Sequence, residues 1–281
     1  MATLKRMLPA AVTIIAAYSA VVFFIWLSQD RLIYFPHIGG VVTTTPARVK
    51  LAFDDVRITT ADGEKLAAWW VPAAPLRGVV LLFHGNAGSI ADRIDYLPHF
   101  NAMGYAVLLV DYRGYGASTG KPSESGTYAD ARAAWHWLTL ERGFKTADIT
   151  VVGESLGGAV AAELAARMQP RALVLISTFT SVPDLGGEIY PWLPVRLISR
   201  YRYDTLAHLR NFRGPVLIAH SRDDEIVPFA HAERLYVEAS GHKSMLEMRG
   251  GHNDSFLFSQ PSWVRTVGDF LAHHASSAEN K

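Results

Sequence analysis

The stretch ITVVGESLGGAVAAELAARM, residues 149–168, decides the reading of this chain. Its first four residues, Ile149 to Val152, form a short uninterrupted apolar run, the pattern of a strand covered on both faces. Its last ten, Ala159 to Met168, are apolar nearly all round and rich in alanine, as in a buried helix packed against a sheet. Between them lies Gly153-Glu-Ser155-Leu-Gly157, an instance of G-x-S-x-G. A serine at such a strand-to-helix turn stands on a tight bend that glycines on either side make room for. The helix that follows turns its positive end toward the hydroxyl, favouring negative charge that develops beside it. Ser155 is therefore the candidate nucleophile; the bland alternative, a serine that only caps a helix, is disfavoured by the strand–turn–helix context.

Outward from this turn the same rhythm repeats. Gly78–Phe83, Ala106–Val110, Ala172–Ile176, Pro215–Ala219 and Lys243–Met248 read as further strands. Helical patterns fill the gaps: a stretch opened by a Thr127/Asp130 capping box, then His231–Ala239 and Pro261–His273. Phe53–Thr60 and Glu64–Val71, joined by Ala61-Asp-Gly63, read as an antiparallel hairpin. A β-rich start feeding a βαβα series predicts an α/β fold with a mainly parallel sheet flanked by helices. Residues 179–213 break the rhythm with Pro183, Pro191, Pro194 and several aromatics, which predicts a small lid insertion.

A resting serine hydroxyl is a weak nucleophile and needs a base, which in turn needs orienting. In folds of this kind the order along the chain is serine, acid, histidine. The candidate base is His252, in the loop Gly250-Gly-His-Asn-Asp254 after a strand, with His84, His220, His273 and His274 as competitors. The acid is one of Asp223, Asp224 and Glu225, just past the strand Pro215–Ala219. Catalytic groups gather beyond the carboxyl ends of parallel strands, so these residues can converge. A tetrahedral oxyanion needs two backbone N–H groups. Leu156, after the serine, offers one, and Asn86 in His84-Gly-Asn-Ala-Gly-Ser89 offers the other. Asp111-Tyr-Arg-Gly-Tyr-Gly116 reads as a structural loop shaping the rim of the site. The sequence carries no H-E-x-x-H and no phosphate-loop spacing, so no cofactor and no metal is assigned.

The ends and the composition bound the rest. Of 281 residues none is Cys, which excludes a disulfide framework and leaves serine as the elbow nucleophile. With 27 Lys and Arg against 26 Asp and Glu, there is no electrostatic case for binding nucleic acid. The mean hydropathy of +0.11 is high, and the excess sits in Leu8–Leu27, an uncharged run long enough to cross a bilayer. A cleaved signal peptide would have to close near Ala17-Tyr-Ser19, but the apolar run continues past it, so residues 1–29 read as a retained anchor with a transmembrane helix at 8–27. Lys5 and Arg6 precede the span, which orients the amino terminus to the cytoplasm and the remaining residues, 30–281, across the membrane.

Taken together, these residues resemble the α/β-hydrolase superfamily from the hairpin to the last helix. Within it the chain is similar to the membrane-anchored branch of fungal Bem-type polarity proteins and eukaryotic acyl-protein thioesterases. The shared marks are an apolar amino-terminal helix, Arg31-Leu-Ile-Tyr-Phe-Pro36, H-G-N-A-G at 84–88 and G-x-S-L-G-G at 153–158. The resemblance implies an α/β-hydrolase fold with Ser155 as nucleophile and His252 as base. It implies Asp224 as the acid, from D-x-x-V-P at 224–228. Ser221-Arg222-Asp223 departs from the usual pattern and keeps Asp223 in play. The expected activity is cleavage of an ester or thioester through an acyl-enzyme, with a peptidase or a non-catalytic tethered scaffold as alternatives. Tyr190, Trp192, Leu193 and Leu197 in the lid favour a lipidic or lipidated acyl substrate.

Overall fold

The apolar runs become the centre of a single eight-stranded sheet in a computed structural model that describes residues 2–38 and 44–274. The strands are β1 (Asp54–Thr59), β2 (Lys65–Val71), β3 (Gly78–Phe83), β4 (Tyr105–Val110), β5 (Ile149–Glu154), β6 (Ala172–Ile176), β7 (Val216–Ser221) and β8 (Lys243–Met248). Their order is β1-β2-β4-β3-β5-β6-β7-β8, parallel from β4 to β8, with β1 and β2 joining antiparallel at one edge. Along β3, Val79, Leu81 and Phe83 enter one core while Val80 and Leu82 enter the other. That two-sided burial is why the strand shows no alternation of apolar and polar residues.

Helices α3 (Tyr96–Ala102), α4 (Glu124–His136), α5 (Leu156–Met168), α9 (Ala230–Glu238) and α10 (Pro261–His273) complete the layers. One expected boundary fails. Helix α4 starts three residues before Thr127, capped by Ser123, whose hydroxyl accepts from the Gly126 N–H. Thr127 is instead fully buried inside the helix, its hydroxyl shared with the Glu124 carbonyl and the Tyr203 hydroxyl. Helix α5 also departs from a purely apolar surface: buried Glu163 pairs with Arg132 and Arg167.

The topology places the site. After β3 the chain crosses to β4 on one side, and β5 is laid against the other side of β3, so the order reverses between β3 and β5. A crevice opens beyond the carboxyl ends of strands at such a reversal. The loops at 84–89 and 153–156 leave these two neighbouring strands side by side.

The insertion at 179–213 holds three short helices, α6 (Val182–Ile189), α7 (Val195–Ile198) and α8 (Thr205–Leu209). Only the first part stands over the crevice, since α8 packs back on α5 through buried Leu209. At the amino end, α1 (Ala2–Leu27) runs into α2 (Gln29–Ile33), and its segment Pro9–Leu27 is long and apolar enough to cross a membrane. Tyr18 and Ile25 of α1 and Gln29 of α2 turn toward the lid.

Candidate active site

Packing explains the glycines of the serine turn. A Cβ on Gly153 would lie 2.1 Å from the Gly157 carbonyl oxygen, and one on Gly157 would lie 2.4 Å from that of Phe83. No larger residue fits while β3, β5 and α5 keep this approach. Ser155 itself holds φ 51° and ψ −116°, a conformation that costs a non-glycine residue of order 1–3 kcal/mol. Its main chain is fixed by three bonds: its N–H donates to Ile176 at 2.8 Å, and its carbonyl accepts from Thr178 Oγ1 at 2.7 Å and from the Gly158 N–H at 2.9 Å. None of them uses the hydroxyl, which stays available.

That hydroxyl faces His252. The distance from Ser155 Oγ to His252 Nε2 is 3.2 Å, and His252 Nδ1 lies 2.7 Å from Asp224 Oδ2. A proton on Nδ1, donated to the carboxylate, leaves Nε2 free to accept from the serine. Asp224 Oδ1 accepts the N–H groups of Ile226 and Val227 at 3.0 and 2.7 Å, and the side chain is wholly buried. Burial alone would raise this carboxyl, but hydrogen bonds from His220, His252 and the Val227 N–H outweigh it and hold the group well below the usual carboxylate range.

The neighbouring acids have other work. Asp223 is half exposed and pairs with Arg249 at 3.2 Å, while Glu225 accepts the backbone N–H of His252 at 3.0 Å and so positions the loop. Of the competing histidines, His220 is fully buried, donates to the Val227 carbonyl at 2.8 Å and braces Asp224 from 3.3 Å. His84 is fully buried too, its Nδ1 donating to the Gly85 carbonyl. His273 and His274 end α10, where His274 packs on Phe270.

The loop after β3 comes against the serine: a Cβ on Gly85 would sit 3.6 Å from Ser155 Cβ. Among the described residues, neither the Leu156 N–H nor the Asn86 N–H has a hydrogen-bond partner. Asn86 is held by its other groups. Its Nδ2 donates to the Ile33 carbonyl at 3.0 Å, and its carbonyl accepts the Phe35 N–H at 2.9 Å and the Tyr115 hydroxyl at 2.8 Å. Phe35 also forms an isolated parallel bridge with Ala87. The segment after the apolar helix thus runs beside this loop like an extra strand. Tyr34 anchors it, its hydroxyl 2.8 Å from that of Tyr203.

Two expectations are corrected here. The loop at 111–116 does not form the rim; Tyr112 and Tyr115 are fully buried and pack against His84, one tilted and one edge-on, so the loop supports the Asn86 turn from beneath. Leu197 does not line the crevice either, being 87% exposed, and Ile198 takes that place. One pair was not anticipated. Arg93 binds Glu154 through two 2.8 Å contacts, and Tyr96 donates to the same carboxylate, tying the 84–93 loop to the serine turn. Burial would lower the Arg93 pKa, yet the Glu154 carboxylate outweighs this and raises it. The signal was present as the x of G-x-S-x-G, but nothing in the sequence specified its partner.

Above Ser155 and His252 lies a cavity of about 560 Å³. Its walls are largely apolar: Leu185, Ile189, Trp192 and Leu193 come from the lid, while Ile25 and Leu32 come from the end of α1 and from α2. The boundary drawn at residue 29 therefore falls inside the cavity wall. Gln29 is buried, its amide donating to the Ile198 carbonyl and accepting from the Arg200 N–H, both at 2.8 Å.

Comparison with known proteins follows the same outline. A profile of the alpha/beta hydrolase fold matches residues 78–197. An uncharacterized protein of Mycobacterium tuberculosis is 39% identical over 273 residues, covering 96% of each chain. Protein bem46 of Schizosaccharomyces pombe is 31% identical over 279 residues, covering 94% of this chain and 91% of its own. The human alpha/beta hydrolase domain-containing protein 17B is 31% identical over 225 residues, covering 76% and 74% respectively. Among solved structures, the Pyrococcus furiosus esterase Pf2001 superposes with a TM-score of 0.71 at 22% identity, over 86% of this chain and 99% of that one. At that identity the likeness is one of fold.

Proposed function

Because the chain belongs to the α/β-hydrolase family and is related to its Bem-type members, it is a hydrolase, and we propose that it cleaves carboxylic esters or thioesters through an acyl-enzyme on Ser155. The observation that carries this reading is the unbroken hydrogen-bonded series Ser155–His252–Asp224 at the floor of an apolar cavity.

In this scheme Ser155 Oγ attacks the acyl carbonyl while His252 Nε2 takes its proton. Asp224 holds the imidazole with its proton on Nδ1 and stabilises the positive charge that forms. The carbonyl oxygen becomes an oxyanion, to which the unpartnered Leu156 and Asn86 N–H groups donate. Collapse expels the alcohol or thiol, which receives the proton from His252. A water then enters, gives a proton to His252 and attacks the acyl-enzyme, releasing the acid and restoring the serine. The Arg93–Glu154 pair holds the two donors at a constant separation, because it joins the loops that carry them.

The apolar cavity supports a small-molecule or lipidated substrate with a hydrocarbon acyl group. The apolar helix is read as a retained single-pass anchor, with the amino terminus on the cytoplasmic side. A fluorophosphonate probe tests the assignment. It is expected to label the wild-type chain covalently and to leave the Ser155→Ala variant unlabelled; equal labelling of both would refute the role given to Ser155.

A further inference from the structure

The lid does not merely cover the crevice; it lies along the amino-terminal helix. Where α1 meets α2, Gln29 bonds the backbone at Ile198 and Arg200, and the Arg200 guanidinium stands 5.3 Å from the centre of the Trp26 ring. Arginine and tryptophan together suit a membrane–water boundary. Further along, the Tyr18 hydroxyl donates to the Trp192 carbonyl at 2.9 Å. Tyr18 is the middle residue of the apolar stretch Pro9–Leu27 and lies about 13 Å along the helix from Leu27, at 1.5 Å per residue. A helix that spans a bilayer with this stretch therefore carries Trp192 below the lipid headgroups.

The lid tip is composed for that depth. Ile189-Tyr-Pro-Trp-Leu-Pro-Val195 has no charged residue, and Ile189, Tyr190 and Trp192 are each about half exposed in the absence of lipid. Hydrocarbon offers no partner to a backbone polar group, so those of an immersed loop must be satisfied within the protein. Pro191 and Pro194 have no N–H to satisfy. The N–H groups of Tyr190, Leu193 and Val195 donate to carbonyls of Gly186, Tyr190 and Leu193, while that of Trp192 has no partner among the described residues. The Trp192 carbonyl receives the Tyr18 hydroxyl. The two charges that flank the tip are both paired: Glu188 just before it with Arg234 at 3.1 Å, and Arg196 just past it with Asp184 at 3.0 Å.

We propose that the tip Ile189–Val195 is immersed in the same leaflet as the end of α1 and that the cavity opens into that leaflet, so that the acyl chain enters from lipid and not from water. This rests on reading α1 as a retained span and the cavity as the substrate site. The occupant is the acyl chain of a membrane amphiphile. Leu32 and Ile25 on one side and Trp192 and Ile189 on the other form the apolar mouth that admits it.

The chain has no Cys, so a single environment-sensitive dye can be placed in the full-length protein without further changes. Trp192→Cys and Tyr190→Cys variants, each labelled with a nitrobenzoxadiazole dye, would be reconstituted in phosphatidylcholine vesicles. Val237→Cys, on an exposed position of α9, serves as the reference. Both tip labels are expected to be quenched several-fold more by mid-chain doxyl lipid than by aqueous iodide, with the order reversed at Val237. Iodide quenching of both tip labels as strong as at Val237, in protein that stays with the vesicles through alkaline carbonate, would overturn the proposal. Release of the protein by carbonate would overturn the spanning reading and the proposal with it. Fluorophosphonate labelling of the same variants reports the serine chemistry separately, so loss of that reading is seen as loss of labelling and not as a change of depth.

Discussion

Replacing Ser155 with alanine is expected to lower kcat for ester hydrolysis by about a millionfold, the scale seen when the nucleophile of a serine triad is removed. The loss should come without a loss of fold. Among the described residues the Ser155 hydroxyl hydrogen-bonds only with His252, whereas the strained turn is held by the main-chain bonds to Ile176, Thr178 and Gly158. Alanine keeps the Cβ and all three bonds. Turnover of a p-nitrophenyl ester, measured beside the thermal midpoint, checks both halves. A variant that keeps its midpoint and loses its rate supports the assignment. One that keeps a substantial fraction of wild-type turnover would place the nucleophile elsewhere.

The exchange Asp224→Asn is expected to cost about 10⁴-fold in kcat, and Asp223→Asn almost nothing. The difference follows from the surroundings of the two carboxylates. Asp224 Oδ1 accepts two backbone N–H groups, from Ile226 and Val227. An asparagine there must keep its carbonyl oxygen toward those donors, which turns its NH₂ toward His252 Nδ1. Nδ1 then has to accept, the proton moves to Nε2, and the imidazole can no longer take the serine proton. Asp223 instead pairs with Arg249 and accepts the Gly250 N–H at the surface. Parallel rate measurements on the two variants decide the matter, and the reverse ranking would contradict it.

The same carboxylate also gives a sign for stability. Its folded pKa is depressed, so its contribution is present above the ordinary carboxylate range and is lost as pH falls toward the folded value. Asp224→Asn should therefore be less stable than wild type near neutrality, and the gap should close in acid.

Much of this architecture was legible because strands buried on both faces have no polar alternation to confuse them. Gly78–Phe83 and Ala172–Ile176 carry the boundaries expected from their residues. The serine turn was legible for a related reason, since its glycines answer to backbone contacts that admit nothing larger. What escaped was set by distant parts of the chain. Thr127 looked like a cap, but a hydroxyl can serve a buried tyrosine as well as a helix terminus, and only the placement of Tyr203 decides between them. Arg31–Pro36 was visible as a recurring mark without a physical reason; the reason is that Ile33 and Phe35 grip Asn86. An apolar run of anchor length says nothing of which face meets the lid. Tyr18 and Gln29 carry that information only once Trp192 and Ile198 stand opposite them.

The central claim is that an acyl group passes through Ser155. Quenching turnover of a p-nitrophenyl ester in acid and mapping the adduct by peptide mass spectrometry measures this directly. The account predicts an increase equal to the acyl group on the peptide that carries Ser155, absent from Ser155→Ala. Steady turnover with no adduct in the pre-steady-state phase, or with the adduct on another residue, would contradict it.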